Sequence, residues 1–271
     1  MEIQLQLTNN EQTWLALCII LLFIPMIIWF TASTASYNKR KKPIIIAIEG
    51  LDGSGKQTIT NKLWQELLTR QEESQNPVHI AFWSFPMYDK WHSLLVKWYL
   101  NGKFGKDPMK VSPYLSSLTY SIDRLFAWFK LKIDYHKYDY MIFDRYTTSS
   151  IYYQAVKADT YSKKNRISKF ITFIEYTIFR IPRPDYVIVL NTSVARCISN
   201  MQKSRDKLDI HETEYFLSEV SASMAHFTEK FGWMSVDTED ENGDLRTPQE
   251  IAKYIVDRIY EEEKKREDNH T

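Results

Sequence analysis

The stretch Glu49-Gly50-Leu51-Asp52-Gly53-Ser54-Gly55-Lys56-Gln57-Thr58 decides the fold of this chain. An apolar, β-branched run at residues 43–48 precedes it and predicts a buried strand, while residues 56–70 read as a helix. Glycines between a strand and a helix let backbone N–H groups approach phosphate oxygens, and the helix N-terminus adds positive charge. The sequence therefore predicts a phosphate-binding loop that uses Gly50, Gly53, Ser54, Gly55, Lys56, Gln57 and Thr58.

One position of this loop departs from the strict phosphate-loop pattern. Gln57 stands where that pattern has a Ser or Thr whose hydroxyl ligates magnesium, and Thr58 comes one residue late. The alternative is an ordinary glycine-rich turn between a strand and a helix. Three glycines and a lysine in the context of strand, loop and helix favour the phosphate site.

Strand and helix patterns alternate along the rest of the chain. Further strands are predicted at residues 78–85, 140–143, 186–190 and 233–236, and further helices at residues 113–132, 163–179, 193–202, 210–231 and 248–265. Such alternation is typical of an α/β domain in which a parallel sheet has helices on both faces. We interpret residues 43–271 as one such domain.

Composition narrows the functional classes. The chain has 271 residues, and its 35 Lys and Arg nearly balance its 34 Asp and Glu. This balance argues against a broad nucleic-acid-binding face, so no nucleic-acid partner is predicted. Cys18 and Cys197 are far apart in the sequence and belong to no metal-binding or redox pair, which argues against a disulfide framework and makes a reducing compartment the default.

The N-terminal region contains an uncharged apolar segment at residues 14–32, which as a helix would span about 28 Å. The basic run Lys39-Arg40-Lys41-Lys42 follows it, and positive flanks face the cytoplasm. We expect a short tail at residues 1–13, a transmembrane helix at 14–32 and a basic linker at 33–42. The sequence thus predicts a single-pass membrane protein that is anchored in a lipid bilayer and has its α/β domain facing the cytoplasm. A cleaved signal peptide and a buried core helix are the alternatives.

The pattern Glu-Gly-x-Asp-Gly-x-Gly-Lys at residues 49–56 resembles the opening of thymidylate kinases, which phosphorylate dTMP to dTDP. The resemblance covers the domain from about residue 43 onward. It implies the P-loop nucleoside monophosphate kinase fold, ATP as phosphoryl donor, dTMP as acceptor, Mg2+ as cofactor and a homodimer. Asp52 distinguishes this loop from that of deoxynucleoside kinases, which carry an apolar residue there. In thymidylate kinases the matching carboxylate approaches the 3′-hydroxyl of the acceptor.

Two further segments are similar to the family's acceptor-binding side. Phe85 would line the thymine pocket, and Tyr88 would contact the acceptor phosphate. Many members have an Arg at one of the two positions after Pro86, where this chain has Met87 and Tyr88. In the helix at 113–132, Tyr120 would stack on thymine and Arg124 would donate to thymine O4. Residues four apart share a helix face, which fits this pairing. Core packing of the aromatic residues and a surface Asp123–Arg124 ion pair are the alternatives.

The segment from Asp144 to Tyr153 also resembles the family. Asp144 ends a predicted strand beside the phosphate loop and would hold magnesium or its waters. Arg145 would bind the acceptor phosphate through two N–H groups of its planar guanidinium. Ser150 and Tyr153 would line the sugar, with Tyr153 crowding the 2′ carbon and so favouring deoxyribose. A structural Asp–Arg pair is the alternative for Asp144 and Arg145.

Residues 202–212 fall between two predicted helices, where the family has a mobile lid. Some thymidylate kinases carry an Arg in the phosphate loop at the position of Gly53, so here the lid would have to supply that charge. Its candidates are Lys203, Arg205 and Lys207, with Arg205 favoured as catalytic together with Lys56, Asp144 and Arg145.

The resulting functional prediction is a membrane-anchored thymidylate kinase. Three alternatives stay open: a kinase of another nucleoside monophosphate, a nucleoside kinase, and a weakly active, membrane-bound nucleotide-binding regulator.

Overall fold

The computed structural model describes residues 42–72, 78–204 and 213–268, together with Trp14 and Cys18. One sheet has the strand order β2-β3-β1-β4-β5, and every pairing between these strands is parallel. The strands are β1 (Ile44–Gly50), β2 (Ile80–Ser84), β3 (Tyr140–Asp144), β4 (Tyr186–Asn191) and β5 (Met234–Asp237). The predicted α/β fold with a parallel sheet between helices is confirmed.

The helices follow the predicted pattern with two additions. They are α1 (Lys56–Glu72), α2 (Leu94–Leu100), α3 (Pro113–Asp134), α4 (Thr147–Ala155), α5 (Tyr161–Thr172), α6 (Val194–Ser204), α7 (Glu214–Phe231) and α8 (Pro248–Asp268). The sequence pattern did not predict α2 or α4. The helix expected at residues 163–179 is an α-helix only to Thr172 and continues as a π-helix, Phe173–Ile178.

The central strand β1 explains the apolar run that precedes the phosphate loop. Ile45 and Ala47 pack into a core shared with α3, α4, α5 and α7 on one face of the sheet. Ile46 and Ile48 pack on the other face against α1 and α8. A strand buried on both faces needs apolar residues at consecutive positions, which is the pattern that this stretch shows.

The strand order also places the candidate site. In the order β3-β1-β4, the connections that leave β1 and β3 run to opposite sides of the sheet, and ligands of open α/β sheets bind beyond the carboxyl ends of strands at such a switch point. Gly50 ends β1 and Asp144 ends β3, with Ile48 of β1 in register with Asp144. The phosphate loop and the segment that begins at Asp144 therefore meet at one edge.

The predicted membrane anchor requires a correction. Across residues 42–72, 78–204 and 213–268, no helix combines the length and the apolar character that a membrane crossing requires. The longest of these helices, α3, carries five charged residues that a bilayer core would disfavour: Asp123, Arg124, Lys130, Lys132 and Asp134. The predicted localisation as a single-pass membrane protein is corrected on this finding, and the described residues do not show a lipid bilayer as a partner. Residues 14–32 lie outside the described residues except for Trp14 and Cys18, and the division into segments at 1–13, 14–32, 33–42 and 43–271 stays a prediction.

Candidate active site

The phosphate loop is pressed against helix α6 at Gly53. This glycine has φ +80, and a Cβ placed there would lie 2.3 Å from the carbonyl oxygen of Cys197. The Gly53 carbonyl also accepts a hydrogen bond of 2.8 Å from Asn200 Nδ2. No side chain fits at this position, so the loop cannot carry the arginine that some related loops have.

We expect Gly53→Ala to lower the free energy of unfolding by clearly more than Gly55→Ala does. Both glycines have positive φ, which costs a side-chain-bearing residue about 1–2 kcal/mol, but an added Cβ at Gly55 would meet nothing within 4 Å. The matched pair therefore separates the contact with Cys197 from backbone strain. Urea denaturation measures both variants, and equal losses would show that the α6 contact does not constrain the loop.

Lys56 is the loop's buried cation, with 7% of its side chain exposed. Its Nζ donates to the carbonyl oxygens of Gly50 at 3.1 Å and Leu51 at 2.7 Å. Burial lowers the pKa of Lys56, and the Arg145 guanidinium lowers it further, whereas Asp52 and Asp144 oppose both effects. The ammonium is thus held over the loop by backbone carbonyls.

The polar side chains at positions 54, 57 and 58 of the loop differ in exposure. Gln57 and Thr58 are exposed on the first turn of α1. Ser54 is buried, and its Oγ has no hydrogen-bond partner among the described residues. A buried hydroxyl without a partner is a donor that a bound phosphate oxygen would satisfy.

Asp52, Arg145 and Tyr153 form a compact group beside the loop. Arg145 donates to the Asp52 carboxylate, and its guanidinium carbon lies 5.3 Å from the centre of the Tyr153 ring. The Tyr153 hydroxyl lies 3.5 Å from Asp52 Oδ2. Burial alone would lower the pKa of Arg145, but Asp52 and the neighbouring tyrosines raise it overall, so the guanidinium stays charged.

Asp144 fits the role of a magnesium-binding carboxylate. Its Oδ1 is buried and has no hydrogen-bond partner among the described residues, while Oδ2 lies 3.4 Å from Ser84 Oγ. The described part of the chain gathers no group of three or more His, Cys, Asp or Glu side chains for a metal. Mg2+ commonly needs only one or two carboxylates because waters and substrate phosphates complete its shell. The single carboxylate is therefore compatible with this ion.

A solvent-open cleft of about 230 Å³ lies beside this group. Every residue predicted to bind the acceptor lines it: Asp52, Phe85, Tyr88, Tyr120, Arg124, Arg145, Ser150 and Tyr153. Phe85 is buried and stacks on Phe143, with ring centroids 5.7 Å apart. The Tyr120 ring stands edge-on to Tyr99 at 6.0 Å. The cleft thus has aromatic walls, a carboxylate and two guanidinium groups.

Comparison with known proteins shows which family the chain belongs to. The family model for thymidylate kinase matches residues 48–247, which is most of the chain. The chain belongs to the thymidylate kinase family. It is therefore a member of a family of nucleoside monophosphate kinases.

Individual relatives of this thymidylate kinase family member are distant. It is 26% identical to a thymidylate kinase of Mycobacterium tuberculosis over 151 residues, 55% of this chain and 66% of that enzyme, and so spans about two thirds of the relative's length. It is 25% identical to a probable thymidylate kinase of Pyrobaculum aerophilum over 79% of this chain and 95% of that protein. A solved thymidylate kinase from Candida albicans shares the fold, with a TM-score of 0.59 at 19% identity over 82% of this chain and 93% of that chain.

Arg124, the residue predicted to read the base, makes an ion pair that its sequence context did not indicate. It is 3% exposed and pairs with Glu175, which is fully buried. The alternative of a surface Asp123–Arg124 pair is wrong, because Asp123 is buried and bonds to His92 Nδ1 at 2.7 Å.

Sequence reasoning missed a second buried carboxylate, Glu49 at the end of β1. It accepts hydrogen bonds from the backbone N–H groups of Tyr146 and Ser149 and from the hydroxyls of Thr148, Ser149 and Tyr152. Burial raises the pKa of Glu49, and the hydroxyl hydrogen bonds oppose this shift. Glu49 therefore fixes the start of α4, the helix that carries Ser150 and Tyr153. The only signal in the sequence was a charged residue ending an otherwise apolar strand.

The lid candidates are only partly within the described residues. Lys203 is exposed in the last turn of α6, and Arg205 and Lys207 lie outside the described residues. Their roles stay predictions, as do the roles of the cleft residues.

A larger cavity, of about 530 Å³, lies away from the glycine loop. Its lining includes Tyr186 and Met234, which begin β4 and β5, as well as Arg183, Arg258 and Arg266. Ligands of open parallel sheets bind at the carboxyl ends of the strands, whereas this cavity lies at their amino ends. We therefore assign the candidate active site to the smaller cleft.

Proposed function

We propose that this protein is a thymidylate kinase, which transfers the γ-phosphoryl group of ATP to dTMP and releases ADP and dTDP. The observation that carries the proposal is the cleft beside the phosphate loop, whose lining contains every predicted acceptor-binding residue. Family membership and relatives named as thymidylate kinases support it. A homodimer is proposed on the family resemblance alone.

The chemistry demands positioning and charge neutralisation. The acceptor phosphate oxygen is already an anion, so no general base is needed. Phosphoryl transfer brings several anionic oxygens together, and cations must compensate them in the transition state. Lys56 would reach the donor phosphates, since its ammonium group is held by the carbonyls of the phosphate loop. Arg145 would bind the acceptor phosphate, since it lines the cleft and donates to Asp52 of the loop. Asp52 would accept from the sugar 3′-hydroxyl.

Base and sugar selection would come from the other side of the cleft. Tyr120 would stack on thymine and Arg124 would donate to its O4. Tyr153 would crowd the 2′ position and so favour deoxyribose. Because Arg145 lies against the Tyr153 ring, sugar and phosphate recognition would be coupled through these two side chains.

Asp144 would hold Mg2+, which supplies positive charge to the phosphate oxygens when bound. We expect Asp144→Asn to raise the Mg2+ concentration needed for half-maximal activity while dTMP binding stays unchanged. Asp237→Asn is the control, because this carboxylate ends β5 and bonds to Asn191. Magnesium titration of the initial rate measures both variants, and an unchanged titration for Asp144→Asn would move the metal site elsewhere.

A coupled assay of ADP release tests the proposed function against its alternatives. The purified full-length chain is given ATP, Mg2+ and one acceptor at a time: dTMP, dUMP, dCMP, dAMP, dGMP or thymidine. We expect the highest kcat/KM with dTMP. A higher value for another monophosphate, or phosphorylation of thymidine, would replace the proposal by a different kinase. ATP binding without turnover of any acceptor would indicate a nucleotide-binding regulator.

A further inference from the structure

Arg124 and Glu175 form a buried ion pair, and the stability of the fold alone does not account for its burial. Arg124 is 3% exposed and Glu175 is 0% exposed. Removing two charges from water is costly, and exchanging such a pair for apolar residues is often neutral or stabilising. Burial alone would lower the pKa of Arg124, but Glu175 raises it overall, so the guanidinium stays charged in the core. We therefore look for the role of the pair in the orientation that Glu175 imposes on the Arg124 guanidinium.

Glu175 fixes the plane of the Arg124 guanidinium. Arg124 Nε donates to Glu175 Oε2 at 2.8 Å, and Nη2 donates to Oε1 at 2.6 Å. Nη2 also donates to Ser150 Oγ at 2.6 Å. A guanidinium whose Nε and Nη2 are both bonded to one carboxylate cannot rotate without breaking both hydrogen bonds.

Other bonds fix Glu175 itself. Ser121 Oγ donates to Oε1 at 2.7 Å, and Thr147 Oγ1 donates to Oε2 at 2.6 Å. Each carboxylate oxygen therefore accepts one hydroxyl bond and one bond from Arg124. These partners come from α3 and α4, so the carboxylate joins both helices that line the base side of the cleft.

The backbone around Glu175 is unusual as well. Glu175 lies in the π-helix Phe173–Ile178, in which Phe179 N donates to Ile174 O at 2.8 Å. Phe173 is 52% exposed whereas Ile174 and Glu175 are buried. Short π-helical turns change the register of a helix and occur frequently at functional sites. Here the turn carries the carboxylate that meets Arg124.

This arrangement leaves a defined edge of Arg124 for a ligand. None of the hydrogen bonds that Arg124 makes with described residues uses Nη1, and Arg124 lines the cleft. We propose that Glu175 is a positioning residue that sets base selectivity by holding Arg124 so that Nη1 faces the base. The proposal rests on the proposed function, in which the base is thymine.

The chemistry of the bases explains the selectivity. Thymine presents a carbonyl acceptor where cytosine presents an amino donor. A fixed cationic donor binds the first and leaves two donors unpaired against the second. Sites that hydrogen-bond a substrate discriminate strongly because the wrong partner leaves buried polar groups unsatisfied. A guanidinium that could turn away would lose this discrimination.

The test is the ratio of kcat/KM for dTMP to kcat/KM for dCMP. Both values come from one enzyme preparation, so a loss of folded protein scales them equally and leaves the ratio unchanged. We expect Glu175→Gln to lower the ratio at least about tenfold, chiefly through a higher KM for dTMP, with the KM for ATP unchanged. The control is Asp123→Asn, which removes a buried carboxylate that bonds to His92 and Met87 instead of Arg124, and should preserve the ratio.

The outcomes separate the two claims. A wild-type enzyme that does not prefer dTMP to dCMP overturns the proposed function and, with it, this inference. A wild-type preference that Glu175→Gln retains overturns the inference alone. If Glu175→Gln yields no folded protein, Glu175→Asp decides, because it keeps the charge but cannot span both nitrogens at the same distances. A severalfold lower ratio supports the proposal, and a wild-type ratio contradicts it.

Discussion

Replacement of Lys56 by alanine is expected to lower kcat for phosphoryl transfer by about 10³-fold, because it removes a charge aimed at the donor phosphates in the transition state. Lys56 is the buried cation of the phosphate loop, and its ammonium group is held by the Gly50 and Leu51 carbonyls. Rapid-quench measurement at saturating ATP and dTMP reports the transfer step directly.

The same substitution removes two hydrogen bonds to the loop, so folding must be monitored separately. Circular dichroism and Tm determine whether the variant is folded. Lys62→Ala is the matched control, since this lysine lies on the same helix, is half-buried and makes a solvent-exposed hydrogen bond to Gln65. A folded Lys56→Ala enzyme with near-normal kcat would contradict the assignment of the loop as the donor site.

Arg205→Ala is expected to lower kcat by about 10³-fold or more, with much smaller effects on both KM values. Arginines acting on transferring phosphoryl groups contribute about 10³–10⁵ in rate in related enzymes. The physical reason lies at Gly53, where the contact with Cys197 excludes a side chain and so excludes a cation within the loop. Another segment must then supply that charge.

Arg205 is favoured over Lys203 and Lys207 because a guanidinium can bridge two phosphates, whereas an ammonium is a point charge. Steady-state kinetics of the three single alanine variants measure this order. Arg246→Ala is the control, because this arginine bonds to the Asp237 carbonyl and lies over Tyr254. Near-normal turnover of Arg205→Ala would move the role to one of the lysines. Near-normal turnover of all three variants and of their triple combination would place the cation outside residues 202–212.

The sheet and the phosphate loop could be predicted because their signals are local. An apolar strand, a glycine loop and a helix start follow one another within residues 43–58, and the buried β1 strand explains the pattern. The cleft residues could be gathered because motifs at the carboxyl ends of parallel strands meet at one edge. The predicted membrane span rested on the apolar character of residues 14–32 and on the basic run that follows them, and no described helix is long and apolar enough to cross a membrane.

Helix α4 and the Arg124–Glu175 pair escaped prediction for tertiary reasons. Thr147, Thr148, Ser149 and Ser150 are all buried, so α4 shows no apolar periodicity. The first three hydroxyls donate to Glu175 or Glu49, and Ser150 accepts from Arg124, so their partners come from distant parts of the sequence. Glu175 and Arg124 are 51 residues apart, and the π-helical turn has no distinct sequence period. A lone acid between Ile174 and Tyr176 was the one available signal.

Phosphorus NMR of the reaction mixture tests the central claim most directly. Purified protein, ATP, Mg2+ and dTMP are combined, with the Lys56→Ala variant prepared in parallel as the control. We predict that dTDP and ADP form in equal amounts, that omission of any component abolishes both, and that the variant forms dTDP about 10³-fold more slowly. ATP and dTMP that stay unchanged at protein concentrations equal to those of the substrates would contradict the assignment of this chain as a thymidylate kinase.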